Sequence, residues 1–190
     1  MIADEWLERT CQMLAEHVPH HLECAGATPA AILILIYDWD GEAHILFTER
    51  THQVEHHKGQ ISFPGGACDD DDDCLEATAL RETAEEIGVQ PEEVEIVGQL
   101  DDMLTISNFL VTPYVGILRT NSEYPFAINH HEVVQVVQVP LPHLLDDRNM
   151  ELEVRRHKGK QVLIPAYTYQ GHRIWGATAR MLRQFLELLT

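Results

Sequence analysis

The segment RETAEEIGV carries three glutamates, Glu82, Glu85 and Glu86, close behind Arg81. At about 100° of rotation per helical residue, Ala77, Leu80, Ala84 and Ile87 form one apolar stripe, and the three carboxylates fall on the opposite face. Glu82 and Glu86 are an i, i+4 pair, and Arg81 precedes Glu85 by four positions, within bridging reach. Carboxylates packed this closely repel and raise one another's pKa. A divalent cation relieves that repulsion; Mg²⁺ takes a few carboxylates, several waters and phosphate oxygens. The same spacing also fits a plain solvated acidic face.

Ahead of this helix stand Phe63-Pro64-Gly65-Gly66 and a run of five aspartates, Asp69–Asp73. The glycines let the backbone turn tightly near the helix start, where N–H groups can face phosphate oxygens. Asp72 or Asp73 suits the N-cap. The aspartate run is not an EF-hand loop. Counted from Asp69, position six is Cys74 instead of glycine and position twelve is Leu80 instead of glutamate.

The elements that must position these groups follow from periodicity and turn signals. Residues 3–18 read as an amphipathic helix, and 30–38 and 43–50 as a strand pair joined at Asp40-Gly41. Residues 51–60 read as a loop, 61–63 as a short strand and 74–87 as the carboxylate-bearing helix. Further strands are expected at 94–100, 109–118 and 133–140, then a short turn or helix, three last strands within 151–176, and a closing helix from 177 to 189. This order predicts an α/β (α+β) chain with a mixed sheet and helices packed on it. A single domain over 1–190, with 1–25 as an N-terminal helical extension, is the expected organisation.

Composition narrows the partners. With 31 Asp+Glu against 13 Lys+Arg, the chain carries a formal charge of -18, so neither nucleic acid nor an anionic membrane is an expected partner. A phosphorylated substrate needs a cation to invert the local potential. No apolar run is long enough for a membrane span, and neither end reads as a secretion or retention signal. The four cysteines form no CxxC pair and fit reduced thiols in a cytoplasmic setting. The twelve histidines lack zinc-site spacing and read as solvated or packed.

The stretch from Gly66 through Arg81, Glu82, Glu85, Glu86, Gly88 and Val89 resembles the Nudix box, G-x5-E-x7-R-E-U-x-E-E-x-G-U, with U a bulky apolar residue. Thr83 stands where a bulky apolar residue is usual. Gly66 to Arg81 is fifteen positions (81 − 66) where the box has fourteen, and Asp72 or Asp73 is nearest the missing spacer glutamate. This longer, aspartate-containing spacer is similar to the coenzyme A pyrophosphatase branch of Nudix hydrolases. So is the upstream series Leu46, Thr48, Arg50, His57, Gly59, Gln60, Ile61, Phe63, Pro64, Gly65 and Gly66. Glu55 departs from the basic residue often found there. Resemblance extends over about residues 30–185, including 105–116, 129–146 and 169–182.

The resemblance implies an α/β/α sandwich and a metal-dependent diphosphatase cleaving coenzyme A, or an acyl derivative, to 3',5'-ADP and 4'-phosphopantetheine. It implies Mg²⁺ or Mn²⁺ on Glu82, Glu85 and Glu86, and a general base that is either Glu85 or Glu132. Arg81 would orient the carboxylates. Arg50 and Lys58 would contact phosphate, with Gln60, Gly65 and Gly66 lining the substrate path and Ser62 near its entrance. Asp69 and Asp72 would shape the loop, and Trp175 would pack against the last helix. Many relatives are dimers, so a homodimer is the assembly the resemblance suggests. Two alternatives stay open: hydrolysis of another dinucleotide or sugar nucleotide, and a binding module of the same fold without catalysis.

Overall fold

A computed structural model of the chain describes residues 3–51, 59–120, 123–157 and 160–190. The elements run α1 (Ala3–Glu16), β1 (Thr28–Trp39), β2 (Glu42–Arg50), β3 (Ile61–Ser62), β4 (Gly65–Ala67), α2 (Leu75–Ile87), β5 (Val94–Gln99), β6 (Met103–Leu104) and β7 (Phe109–Leu118). They continue with β8 (Val133–Pro140), α3 (Leu141–Leu145), β9 (Met150–His157), β10 (Lys160–Tyr169), β11 (His172–Ile174) and α4 (Gly176–Leu189).

The isoleucine-rich run becomes the central strand. β1 pairs parallel with β7 on one side and antiparallel with β2 and β4 on the other. This is the mixed sheet expected from sequence. Both faces of β1 are covered, which is why it reads as a continuous apolar run instead of an alternation. Ala31, Leu33, Leu35 and Tyr37 pack with Ala79, Ile87 and Val89 around α2. Ala30, Ile34 and Ile36 pack on the other face with Trp6 and Leu14 of α1 and Leu182, Phe185 and Leu186 of α4. Helices therefore cover the sheet on two sides, the three-layer α+β arrangement. The β1–β2 hairpin closes through Asp40 (φ 55°) and Gly41 (φ 78°), both left-handed, as a tight hairpin turn requires. β9, β10 and β11 form a separate three-stranded antiparallel sheet, not an extension of the main one. No helix among the described residues is long and apolar enough to cross a membrane.

Four local expectations change. α1 stops at Glu16, short of Val18, because Pro19 disfavours helix before it, and two aspartates bind the backbone that follows. His20 N–H donates to Asp101 Oδ1 (2.9 Å) and Leu22 N–H to Asp102 Oδ2 (3.0 Å). Gly65–Ala67, expected as a turn, is strand β4: Gly65, Gly66 and Ala67 face Ile32, Ala31 and Ala30. The N-cap of α2 is Cys74, not an aspartate, and makes no side-chain capping bond. Finally, α2 is rotated relative to the stripe read from sequence. Its buried residues are Thr78, Ala79, Thr83, Glu86 and Ile87, while Ala77, Leu80 and Ala84 are only partly covered. Small Ala79 and Thr83 let the helix lie close to the sheet. Thr83 Oγ1, sealed from water, donates to Ala79 O at 2.7 Å.

Candidate active site

The site forms where β2 and β1 part. Their ladder runs from Trp39↔Glu42 to Ile36↔Ile45, after which β4 replaces β2 beside β1. Gly65 and Gly66 occupy this gap, under α2. A Cβ on Gly66 would lie 2.5 Å from the Glu82 carboxyl carbon, so glycine there is what lets the carboxylate sit against the strand. Gly65, at φ 146°, would place a Cβ 2.3 Å from Ala31 O.

The three glutamates do not share one environment. Glu86 is 1% exposed, and Glu82 is 17% exposed. Glu85 is 56% exposed, on the outer side. Burial pushes the Glu86 carboxyl up to about 8, against the pull of Arg50, and the Glu82 and Glu132 charges push it further. Its Oε1 accepts from Arg50 at 3.2 Å, whereas its Oε2 is buried without a hydrogen-bond partner. Glu82 is also raised, by burial first, with Arg81 opposing and Glu85 and Glu132 adding.

Arg81 is the hub. Its Nε and one terminal nitrogen donate to the two Asp72 oxygens at 2.8 and 2.9 Å, and that nitrogen also donates to Ala67 O at 3.2 Å. The other terminal nitrogen donates to Glu82 at 2.8 Å and Glu85 at 3.4 Å. Asp72 further accepts from Thr78 Oγ1 (2.8 Å) and Asp69 N–H (3.0 Å). The Arg81 hydrogen bonds hold its carboxyl well below the usual carboxylate range. Asp72, one of the two aspartates nearest the missing spacer glutamate in the sequence, therefore lies beside Arg81. Its bond from Thr78, six residues on, places it over the first turn of α2, and the sequence carried no signal for that.

Glu132 is delivered by the segment that closes the other end of α2. Ala127 N–H donates to Ile87 O (3.0 Å) and Asn129 N–H to Glu86 O (2.9 Å). Asn129 Nδ2 donates to Glu132 Oε1 at 3.4 Å, and Thr51 N–H to Glu132 O at 2.8 Å. Its charge acts on both Glu82 and Glu86. Arg50 therefore lies in the site, paired with Glu86. Gln60 lies beside it, its carbonyl accepting from Arg50 N–H at 3.0 Å. Ser62 Oγ is 3.3 Å from Thr48 Oγ1. Lys58 and His57 lie outside the described residues. Trp175 precedes α4 with the Arg155 guanidinium 4.9 Å above its ring, in packing, not in the site.

Among the described residues no three histidines, cysteines, aspartates or glutamates already close into a cation cage. Arg50 and Arg81 hold the carboxylates instead. The donor set nevertheless fits a hard divalent ion: it is all oxygen, it includes the unpartnered Glu86 Oε2, and the glycine cradle holds Glu82 beside it.

A NUDIX domain model matches residues 27–158. The chain belongs to the Nudix family. It is 35% identical over 182 residues to the Nudix hydrolase NudL of Salmonella heidelberg, covering 95% of this chain and 91% of that one. It is also 35% identical over 158 residues to the mitochondrial Nudix hydrolase 15 of Arabidopsis thaliana, covering 80% of this chain but 55% of that protein. The NUDIX domain of Shewanella oneidensis NrtR, solved with ADP ribose, has the same fold at 19% identity (TM-score 0.56, covering 94% and 97%). A Nudix hydrolase from Alicyclobacillus acidocaldarius superposes with TM-score 0.53 at 17% identity, covering 87% and 93%. As a Nudix enzyme the chain is a hydrolase of phosphorus-containing anhydrides. α2 carries Arg81, Glu82, Glu85 and Glu86, the residues that resemble the box in the sequence.

Proposed function

We propose that the chain hydrolyses the diphosphate of coenzyme A or acyl-coenzyme A, releasing 3',5'-ADP and (acyl-)4'-phosphopantetheine. The observation that carries a metal-dependent phosphoanhydride site is the buried, unpartnered Glu86 Oε2 beside Glu82 and the Gly66 cradle. The coenzyme A substrate rests on the signature from Leu46 to Gly66. Mg²⁺ or Mn²⁺ on Glu82, Glu85 and Glu86 supplies charge neutralisation of the diphosphate and a more acidic water. Arg81 fixes Glu82 and Glu85 in direction. Glu132 or Glu85 takes the proton of the attacking water. Arg50, freed from Glu86, and Lys58 contact phosphate, while Gln60, Gly65 and Gly66 line the path of the substrate. A cytoplasmic location and a homodimer complete the proposal; the homodimer is supported by exposed apolar residues on the second sheet.

The test is incubation with coenzyme A and Mg²⁺ or Mn²⁺, with and without chelator, followed by chromatography of the products. The expected result is metal-dependent 3',5'-ADP, reduced at least about 100-fold in Glu86→Gln. Absence of that product sinks the substrate assignment; undiminished turnover by Glu86→Gln sinks the site.

A further inference from the structure

The second sheet ends on an open strand. β10 pairs with β9 from Met150 to His157, and among the described residues no strand pairs with its other edge. Such an edge is a row of backbone donors and acceptors, normally blunted by charged side chains, proline, a bulge or a covering element; β9 carries charges, but of both signs, Glu151 and Glu153 with Arg155 and Arg156. β9 contains no proline, and its ladder with β10 runs without a register shift. The surface beside it is apolar: Leu152, Val154 and Leu163 are 50%, 61% and 61% exposed. Val154 and Leu163 are cross-strand partners and Leu152 lies two residues from Val154, so all three share one face. Met150 and Tyr167 close the inner end of that face against the core.

Charge selects the occupant. Two copies of a chain at -18 repel wherever acidic surfaces meet. Residues 150–160 invert the balance, with Arg155, Arg156, Lys158 and Lys160 against Glu151 and Glu153. Along β9 the acids come first and the bases second. About a two-fold axis, residue i of one copy opposes j of the other and j opposes i. With the axis at Val154, Glu153 opposes Arg155 of the second copy. An axis at Leu152 sets Glu151 against Glu153, and one at Glu153 or Arg155 sets that charge against itself. Like charges directly opposite destabilise a strand pair. A slip by a single residue carries the apolar set to the other face.

We propose that β9 pairs antiparallel with β9 of a second copy about an axis at Val154, continuing the three-stranded sheet across a dimer. The two Val154 side chains meet on the axis, with Leu152 and Leu163 of each copy on the same face. Glu153 is held at this edge by Arg155 and Arg173 of its own chain. The inference rests on the homodimer reading and names its surface.

The test uses the full chain. Directly opposed residues of antiparallel strands lie about 4.5–5.5 Å apart at Cα, within disulfide range. Val154→Cys is expected to form a reducible covalent dimer on mild oxidation. Wild type, with its own thiols, and Leu163→Cys, a strand further in, are expected not to. In sedimentation velocity, Glu153→Arg is expected to weaken association at least tenfold, and Glu153→Arg with Arg155→Glu to restore it. Circular dichroism checks that each variant is folded. A monomeric wild type at tens of micromolar overturns the proposal. So does a dimer in which Val154→Cys fails to link and Glu153→Arg changes nothing, which leaves the homodimer standing without this interface. Coenzyme A turnover, read separately, decides the enzymatic assignment.

Discussion

At the residue scale, the site separates three glutamates that look equivalent in the sequence. Counting turns of a helix gives their shared side but not their depth, which the neighbours decide: Glu86 is sealed under Arg50, while Glu85 faces outward. Asp72 shows the same dependence on context. In the sequence it is one of five aspartates. In the fold it accepts four hydrogen bonds, two of them from Arg81. Asp72→Asn should destabilise the protein by about 2 kcal/mol, the scale of hydrogen bonds to charged groups. That is a fall in Tm of about 4–8 °C. The pH dependence has a defined sign. Arg81 lowers the folded-state pKa of Asp72, so its stabilisation is complete above the unfolded value of about 3.9 and drains away as pH falls through the depressed folded value. The gap between wild type and Asp72→Asn should therefore be constant from neutral pH to about 5 and narrow below about 4. A gap that widens in acid would show that Asp72 does not carry this linkage.

At the scale of elements, the long periodic segments were legible: the buried β1 run, the Asp40-Gly41 hairpin and the helices all fall within a few residues of the periodic reading. β4 was not, because two glycines and an alanine carry no strand signal; pairing with β1 makes it a strand. The rotation of α2 was hidden for a similar reason. Ala79 and Thr83 are poor apolar markers, yet their small size is what allows close approach to the sheet. β4 makes a pair of adjacent glycines separable by experiment. Gly65→Ala forces a Cβ onto the Ala31 carbonyl and the Ile32 Cα (2.6 Å), both backbone atoms that cannot yield, at a left-handed φ. It should cost about 3 kcal/mol or more in denaturant unfolding. Gly66→Ala meets only the movable end of Glu82. It should unfold within about 1 kcal/mol of wild type but lose at least about tenfold in metal-dependent turnover. Equal stability losses in the two variants would contradict this division of roles.

At the scale of the whole molecule, the question is whether residues 1–25, outside the matched Nudix region, are an appendage. The packing argues otherwise. Trp6 and Leu14 belong to the same core cluster as Phe63, Leu182 and Phe185, and Thr10 between them is fully buried. The exit from α1 is tied down too: His17 Nε2 lies 3.2 Å from Asp101 Oδ1, and Asp102 accepts from Leu22 N–H and from Thr112 Oγ1 (2.7 Å) on β7. β7 is the parallel neighbour of β1, which holds β4 and hence Gly66 in register. Losing α1 would expose the sheet face opposite the site and slacken the strands that carry it. Burial of a tryptophan or leucine side chain contributes about 1.5–3 kcal/mol each, and Trp6→Ala should cost about 3–5 kcal/mol, lowering Tm by roughly 10 °C. The substitution touches no group in the site, so turnover measured well below the new Tm should stay within about twofold of wild type. Deletion of residues 1–25 should be more severe than Trp6→Ala in thermal denaturation, because it removes both anchors and the aspartate clasp together. A truncated chain that melts within about 2 °C of wild type would mean that the Nudix region closes its own core and that α1 merely rests on it.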